Sequence, residues 1–148
     1  MAADEAWHKG LKIVDDVYGP NSHKMMEGHE DSAFVQETVK HVFGDIWSLP
    51  HLSMRDKRLL VIGATSMLGR ADLLEIQLAG AIINKELSDE QLEEMLMLML
   101  FYCGAGNTTA LNRGIAAAKK RTKELLAANN QPCLLFAASL RRRANFER

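Results

Sequence analysis

The chain has 148 residues, 47% hydrophobic and 25% charged, and its 18 Lys and Arg against 19 Asp and Glu leave a formal net charge of −1. A chain of this length typically buries about 68–70% of the surface it exposes unfolded, so a single domain can hold a core without metal or disulfide staples. Balanced charge excludes the positive field of a nucleic-acid binder, and Cys103 and Cys133, 30 residues apart, make neither a disulfide framework nor a CxxC pair. Leucine, alanine, methionine, lysine and glutamate fill the stretches between only three prolines, which favours helix over strand.

An all-α domain of about six helices is therefore expected. The first, from about Ala3 to Val17, carries Trp7, Leu11, Val14 and Val17 at helical spacing and stops at Tyr18-Gly19-Pro20. The second starts at Asp31 or Ser32, turns Phe34, Val35, Val39 and Val42 inward, and ends at Gly44. The segment from Asp45 to His51, bounded by Pro50, reads as a loop anchored by Trp47. Ser53 caps a third helix from Met54 to about Leu68, with Asp56 in its first turn and Gly69 at its end. A fourth, about Ala71 to Asn84, opens on Asp72 and Glu75 at capping-box spacing.

Ser88 and Gln91 form a further capping box, with Leu87 and Leu92 placed as the hydrophobic staple. The helix they start, Asp89 to Tyr102, is polar at first and then apolar on every side, so its second half has to be covered by the domain or by a neighbouring subunit. After Gly104-Ala-Gly106, a last helix runs from about Asn107 to Ala128 and ends in cations. Residues 1–128 are taken as the domain and 129–148 as an extension, apolar and then Arg-rich. The longest apolar run, Met95 to Cys103, is nine residues, against the roughly 20 that span a bilayer. With an acidic amino terminus that does not resemble a signal peptide, a cytoplasmic protein is expected.

Read from Phe43 through Trp47, Leu49, Pro50, His51 and Ser53 to Leu59, the chain resembles the carboxymuconolactone decarboxylase family. The stretches 68–72, 80–84 and 87–95 and Tyr102-Cys103-Gly104 continue the likeness in family order. The resemblance implies an all-α, alkylhydroperoxidase D-like fold assembled as a homo-oligomer, trimer or hexamer. It also implies one of two chemistries, decarboxylation of a carboxy-lactone or thiol-based peroxide reduction. In the thiol branch the active helix carries CxxC and then a histidine; in the decarboxylase branch a glutamate replaces the second cysteine. Aligned through Gly69-Arg70 and Gly80-Ala81, the CxxC places fall on Arg70 and Leu73 and the histidine place on Gln77. Both sets are absent. Peroxidase activity is disfavoured, because Cys103 lacks a resolving partner in the sequence. Further departures are Leu49 where the decarboxylases show arginine, His51 for glycine, Lys85 for glycine and Gly106 for proline.

Losing carbon dioxide from a lactone acid requires a place for the carboxylate, an electron sink, and an acid that protonates the carbanion or enolate. Residues 73 and 77 share a helix face, which would line a pocket with the Trp47-to-His51 loop if the family fold holds. His51 is the candidate acid–base residue, histidine being the side-chain type suited to proton exchange near neutral pH; Gln77 is its catalytic partner, able to orient a carbonyl but not to move protons. Trp47, Arg55, Arg70, Leu73, Glu94 and Tyr102 complete the candidate substrate site, with Arg55 and Arg70 as anion clamps and Glu94 either a pocket base or a buried interhelical group. The histidines lack HxxxH or HxxE spacing, so neither metal nor cofactor is expected. Two functions follow: a divergent enzyme acting on a small lactone, keto acid or activated carbonyl compound, or a catalytically silent oligomer that binds a ligand or serves as an accessory protein. No nucleic-acid or membrane partner is expected.

Overall fold

The computed structural model describes the backbone of residues 2–144 and the side chains of residues 5–127. Helix α1 (Ala2–Tyr18) buries Val14 and Val17. A short 3-10 helix, Ser22–Met26, follows. It is fastened back to α1 by the Asp15 carboxylate, which accepts from the His23 backbone N–H at 2.8 Å and lies 2.7 Å from its Nδ1. Helix α2 (Ala33–Glu37) continues directly into a π-helix, Thr38–Trp47. Helix α3 spans Met54–Met67, α4 spans Ala71–Ile83, and α5 spans Asp89–Ala144 with a break in its dihedral angles at Gly104.

The all-α architecture is as expected, with five helices among the described residues rather than six. The expected fifth and sixth helices are joined as α5, and Gly104 lets them change direction by adopting φ 77° and ψ 163°, which side chains with a Cβ disfavour. The extension that begins at 129 continues as helix to Ala144; its side chains, and residues 145–148, lie outside the described residues.

Two starts form as the sequence predicts. Ser53 Oγ accepts from the Asp56 N–H at 3.1 Å while Asp56 accepts from the Ser53 N–H at 3.3 Å, and Ser88 and Gln91 exchange the same pair of bonds at 2.9 and 3.3 Å. The expected box at Asp72 does not form: α4 is preceded by Arg70, whose guanidinium holds the Asp72 carboxylate instead. Gly44 does not stop its helix, and residues 45–47 are helical rather than loop. The π-helical turn, with bonds five residues apart, puts Val39, Phe43 and Trp47 on one buried face and leaves Val42 exposed. Phe34, expected inward, is 78% exposed.

Two apolar clusters make the core. One gathers Val14, Val17, Phe43 and Trp47 from α1 and the π-helix. The other gathers Ile62 of α3, Leu74 and Leu78 of α4, and Leu92, Leu111 and Ile115 of the two limbs of α5, with Ala79, Ala81 and Ala118 between them. Each fully buried Leu or Val contributes about 1.5–3 kcal/mol. The second half of the first α5 limb stays open in the protomer: Phe101 is 86% and Tyr102 77% exposed, and Met97, Leu98 and Leu100 are exposed beside them.

Candidate functional site

Where the two clusters meet, α3 sends Arg58 inward, and its side chain is fully buried. A guanidinium has five donors and no acceptor, so burial requires that its N–H groups find oxygen. Glu86, in the turn between α4 and α5, takes two of them, Nε to Oε2 at 2.5 Å and Nη2 to Oε1 at 3.2 Å. Nη1 donates to the backbone and side-chain oxygens of Gln77, both at 3.2 Å, and Nη2 also donates to the Val17 carbonyl. The Trp47 ring packs against the same cation, its centroid 5.9 Å from Cζ. Room for this is made by Gly80 on α4, where an added Cβ would lie 2.8 Å from Arg58 Nη1. One side chain thereby ties together α1, the π-helix, α3, α4 and the turn after α4.

Arg58 also decides how Gln77 points. Because the guanidinium only donates, the Gln77 carbonyl oxygen must face it, and the amide nitrogen is turned to the Tyr18 hydroxyl, to which it donates at 3.2 Å. Tyr18, the last residue of α1, stands edge-on to Phe43 with ring centroids 5.6 Å apart. Burial raises its pKa above the ordinary phenol value; the Arg58 charge and the Gln77 hydrogen bond pull the other way. Tyr18 therefore stays protonated at neutral pH.

Beyond Tyr18 opens a cavity of about 270 Å³. Pro20, Asn21, Ser22 and Met25 form one side, and Ile76, Ala79 and Ile83 of α4 another. Arg121, Leu125 and Leu126 of α5 close the rest. Arg121 supplies a cation to this wall, and its ion pair among the described residues, to Glu75, is long at 3.4 Å.

The residues singled out from the sequence are not brought together. Gln77 is buried in the Arg58 cluster. His51 is exposed and lines a separate groove of about 360 Å³ with Ile46, Trp47, Leu49, Leu52, Leu60 and Val61, a nearly all-apolar wall. Lys57 reaches that groove, but its ammonium donates to the Trp47 and Leu49 carbonyls, holding the loop. Trp47 is shared, lining the groove and stacking on Arg58. Leu73, one turn before Gln77, is 40% exposed.

Arg55 and Arg70 do not form an anion clamp. Arg55 donates to the Glu86 carbonyl at 3.0 Å and lines a hollow with Asp15, Asp16 and Glu86, whose charge repels anions. Arg70 is exposed and paired with Asp72, whose pKa falls from 3.8 to about 2, chiefly through that hydrogen bond. Glu94 is exposed rather than buried or pocket-facing, because it lies in the polar early turns of α5. Tyr102 is exposed as well, one residue from the break that ends the first limb. Sequence reasoning missed Arg58, Glu86 and Tyr18. A signal for the first existed: Arg58 falls between Leu59 and Lys57 on a helix whose inward face also carries Ile62, Thr65 and Ser66. Among the described residues no group of three His, Cys, Asp or Glu side chains is placed to hold a metal, and no helix is long and apolar enough to cross a membrane.

The fold and site define an all-α protein with a buried arginine cluster next to a small cavity. The model of the carboxymuconolactone decarboxylase family matches residues 33–120, more than half of the chain, and the chain belongs to that family. Among relatives, the 4-carboxymuconolactone decarboxylase of Acinetobacter baylyi is 25% identical over 107 residues, spanning 70% of this chain and 79% of the relative.

Proposed function

We propose that this chain is a divergent lyase-type enzyme of its family, acting on a small lactone, keto acid or similarly activated carbonyl compound by acid–base chemistry without a cofactor. Family membership supports decarboxylase-like or related chemistry. The observation that carries the enzyme reading is the chain of contacts from Arg58 through Gln77 to the Tyr18 hydroxyl. It links the place where the family resemblance expects a histidine to a titratable group on a cavity wall. Proton transfer to a carbanion or enolate requires such a group within reach of the ligand. The test is carbon dioxide release by the purified chain from 4-carboxymuconolactone, the compound in the relative's name, and from a β-keto acid. Release well above the uncatalysed rate is expected; none from either compound rejects the enzyme reading.

The second reading, a catalytically silent ligand-binding or accessory protein, is favoured by one specific feature. Arg58 and Gln77 are already held by protein partners, while Leu73 and His51 lie elsewhere. In either case the chain assembles with copies of itself in this proposal. Met97, Leu98, Leu100, Phe101 and Tyr102 are exposed together on one stretch of α5, and clustered exposed apolar side chains mark interaction surfaces. Native mass spectrometry distinguishes monomer, trimer and hexamer, and a monomer at micromolar concentration rejects the assembly.

A further inference from the structure

We infer that Tyr18 is the proton donor of this protein, delivering its hydroxyl proton to the carbanion or enolate carbon of a compound seated in the cavity between α1, the 3-10 helix, α4 and α5. The inference rests on the enzyme reading above and assigns it a residue and a place.

The directions of the hydrogen bonds carry it. Arg58 can only donate, so Gln77 presents its oxygen to Arg58 and its amide N–H to Tyr18, and the phenol oxygen must accept. Tyr18 is thereby left with its own proton to give, and it is one of the residues that line the cavity. Edge-on contact with Phe43 and the end of α1 hold the ring in place. The resting phenol is neutral because burial disfavours its anion. The phenolate left after transfer is nonetheless provided for, since the Gln77 N–H already points at it and the Arg58 charge lies behind Gln77. These two groups strengthen their interaction as negative charge develops on oxygen, which is how a preorganised site lowers a barrier.

The cavity wall suits the other demands of the reaction. Ile76, Ala79 and Ile83 solvate a carboxylate poorly and so favour its departure as neutral carbon dioxide. Arg121, whose ion pair among the described residues is the long Glu75 contact, has donors to offer the carbonyl oxygen that receives the electron pair. In the step, the bond between carboxylate and carbon breaks and its electron pair is delocalised onto the carbonyl as an enolate. Carbon dioxide leaves, the Tyr18 O–H bond breaks, and its proton forms the new C–H bond. The phenolate then regains a proton from water. No oxidant, reductant or metal enters this balance. His51, by contrast, opens on an apolar groove that none of these groups lines.

The protein holds two tyrosines, Tyr18 and Tyr102, so its tyrosine Cζ carbons give two resonances under ¹³C labelling, and the one absent from Tyr18→Phe is assigned. Wild type is titrated with a saturated γ-butyrolactone carboxylate, which cannot decarboxylate, and both proteins are assayed for carbon dioxide release from 4-carboxymuconolactone. The Tyr18 resonance is expected to shift saturably, and Tyr18→Phe to bind the analogue within threefold while releasing carbon dioxide about 100-fold more slowly. Release that survives Tyr18→Phe within threefold overturns the inference and leaves the enzyme reading standing. A Tyr18 resonance that ignores the analogue overturns it on the wild-type protein, whatever the stability of the variant. No release from wild type rejects the enzyme reading, and the proton-donor role falls with it.

Discussion

Arg58 and His51 stand on either side of Trp47, and the two regions they mark differ in almost every physical respect. Around Arg58, charge is buried and each polar group has a partner on another helix. Around His51, the wall is apolar, the histidine is exposed, and Lys57, which reaches the groove, holds its own loop. Buried charge tolerates no missing partner, because the desolvation cost of what remains is large; an exposed side chain on an apolar rim can change with little consequence. The contrast shows where this protein is constrained. The residue that attracted attention in sequence, His51, lies in the permissive region.

The largest way to break the contrast is Glu86→Ala, which leaves the Arg58 guanidinium buried without its carboxylate. A loss of about 3–5 kcal/mol is expected in urea denaturation, and the double change Arg58→Met with Glu86→Leu should recover most of it. A loss below about 1 kcal/mol for the single change would mean that water reaches the cluster. Gln77→Ala comes next, at about 1–3 kcal/mol, because Arg58 Nη1 loses one acceptor. The same variant frees the Tyr18 hydroxyl from its donor, so the pKa of Tyr18, followed by its ultraviolet difference spectrum, should rise further.

His51→Ala should change stability by no more than about 0.5 kcal/mol and leave any carbon dioxide release within threefold of wild type, as the proposed Tyr18 donor requires. Abolished release with unchanged stability would move the chemistry to the groove. The smallest effect belongs to Arg70→Ala, a change at an exposed pair that should leave the denaturation midpoint at pH 7 unaltered. Its pH signature has a definite sign. Asp72 titrates lower in the folded state, at about 2 against 3.8, so whatever the pair contributes is present above pH 3.8 and is lost as pH falls through about 2. An NMR titration should return the Asp72 pKa to the ordinary carboxylate range in Arg70→Ala.

Much of the scaffold was legible because it depends on local rules. Ser53 with Asp56 and Ser88 with Gln91 are neighbours three residues apart, and their caps form wherever a helix starts there. The second helix was misjudged at Gly44 for the opposite reason. A glycine reads locally as a stop, but packing against α1 and the wider π-helical turn carry the chain on to Trp47. The candidate site was less legible. Gln77 was found through the family pattern, yet its partners Arg58 and Tyr18 are 19 and 59 positions away along the chain, and Glu86, which pairs with Arg58, is 28 positions from it. Periodicity places an arginine on an inward face without saying that the interior there contains a carboxylate, a carbonyl and a missing Cβ.

By itself, then, the sequence determined helix positions, most of their ends and the family, since these follow from spacing, capping and motifs that act over a few residues. Tertiary structure decided which polar residues are buried together, which way Gln77 points, and which titratable group faces a cavity. Those outcomes depend on donors and acceptors from different helices meeting in a space that excludes water. Only there does an unpaired group cost enough to dictate an arrangement.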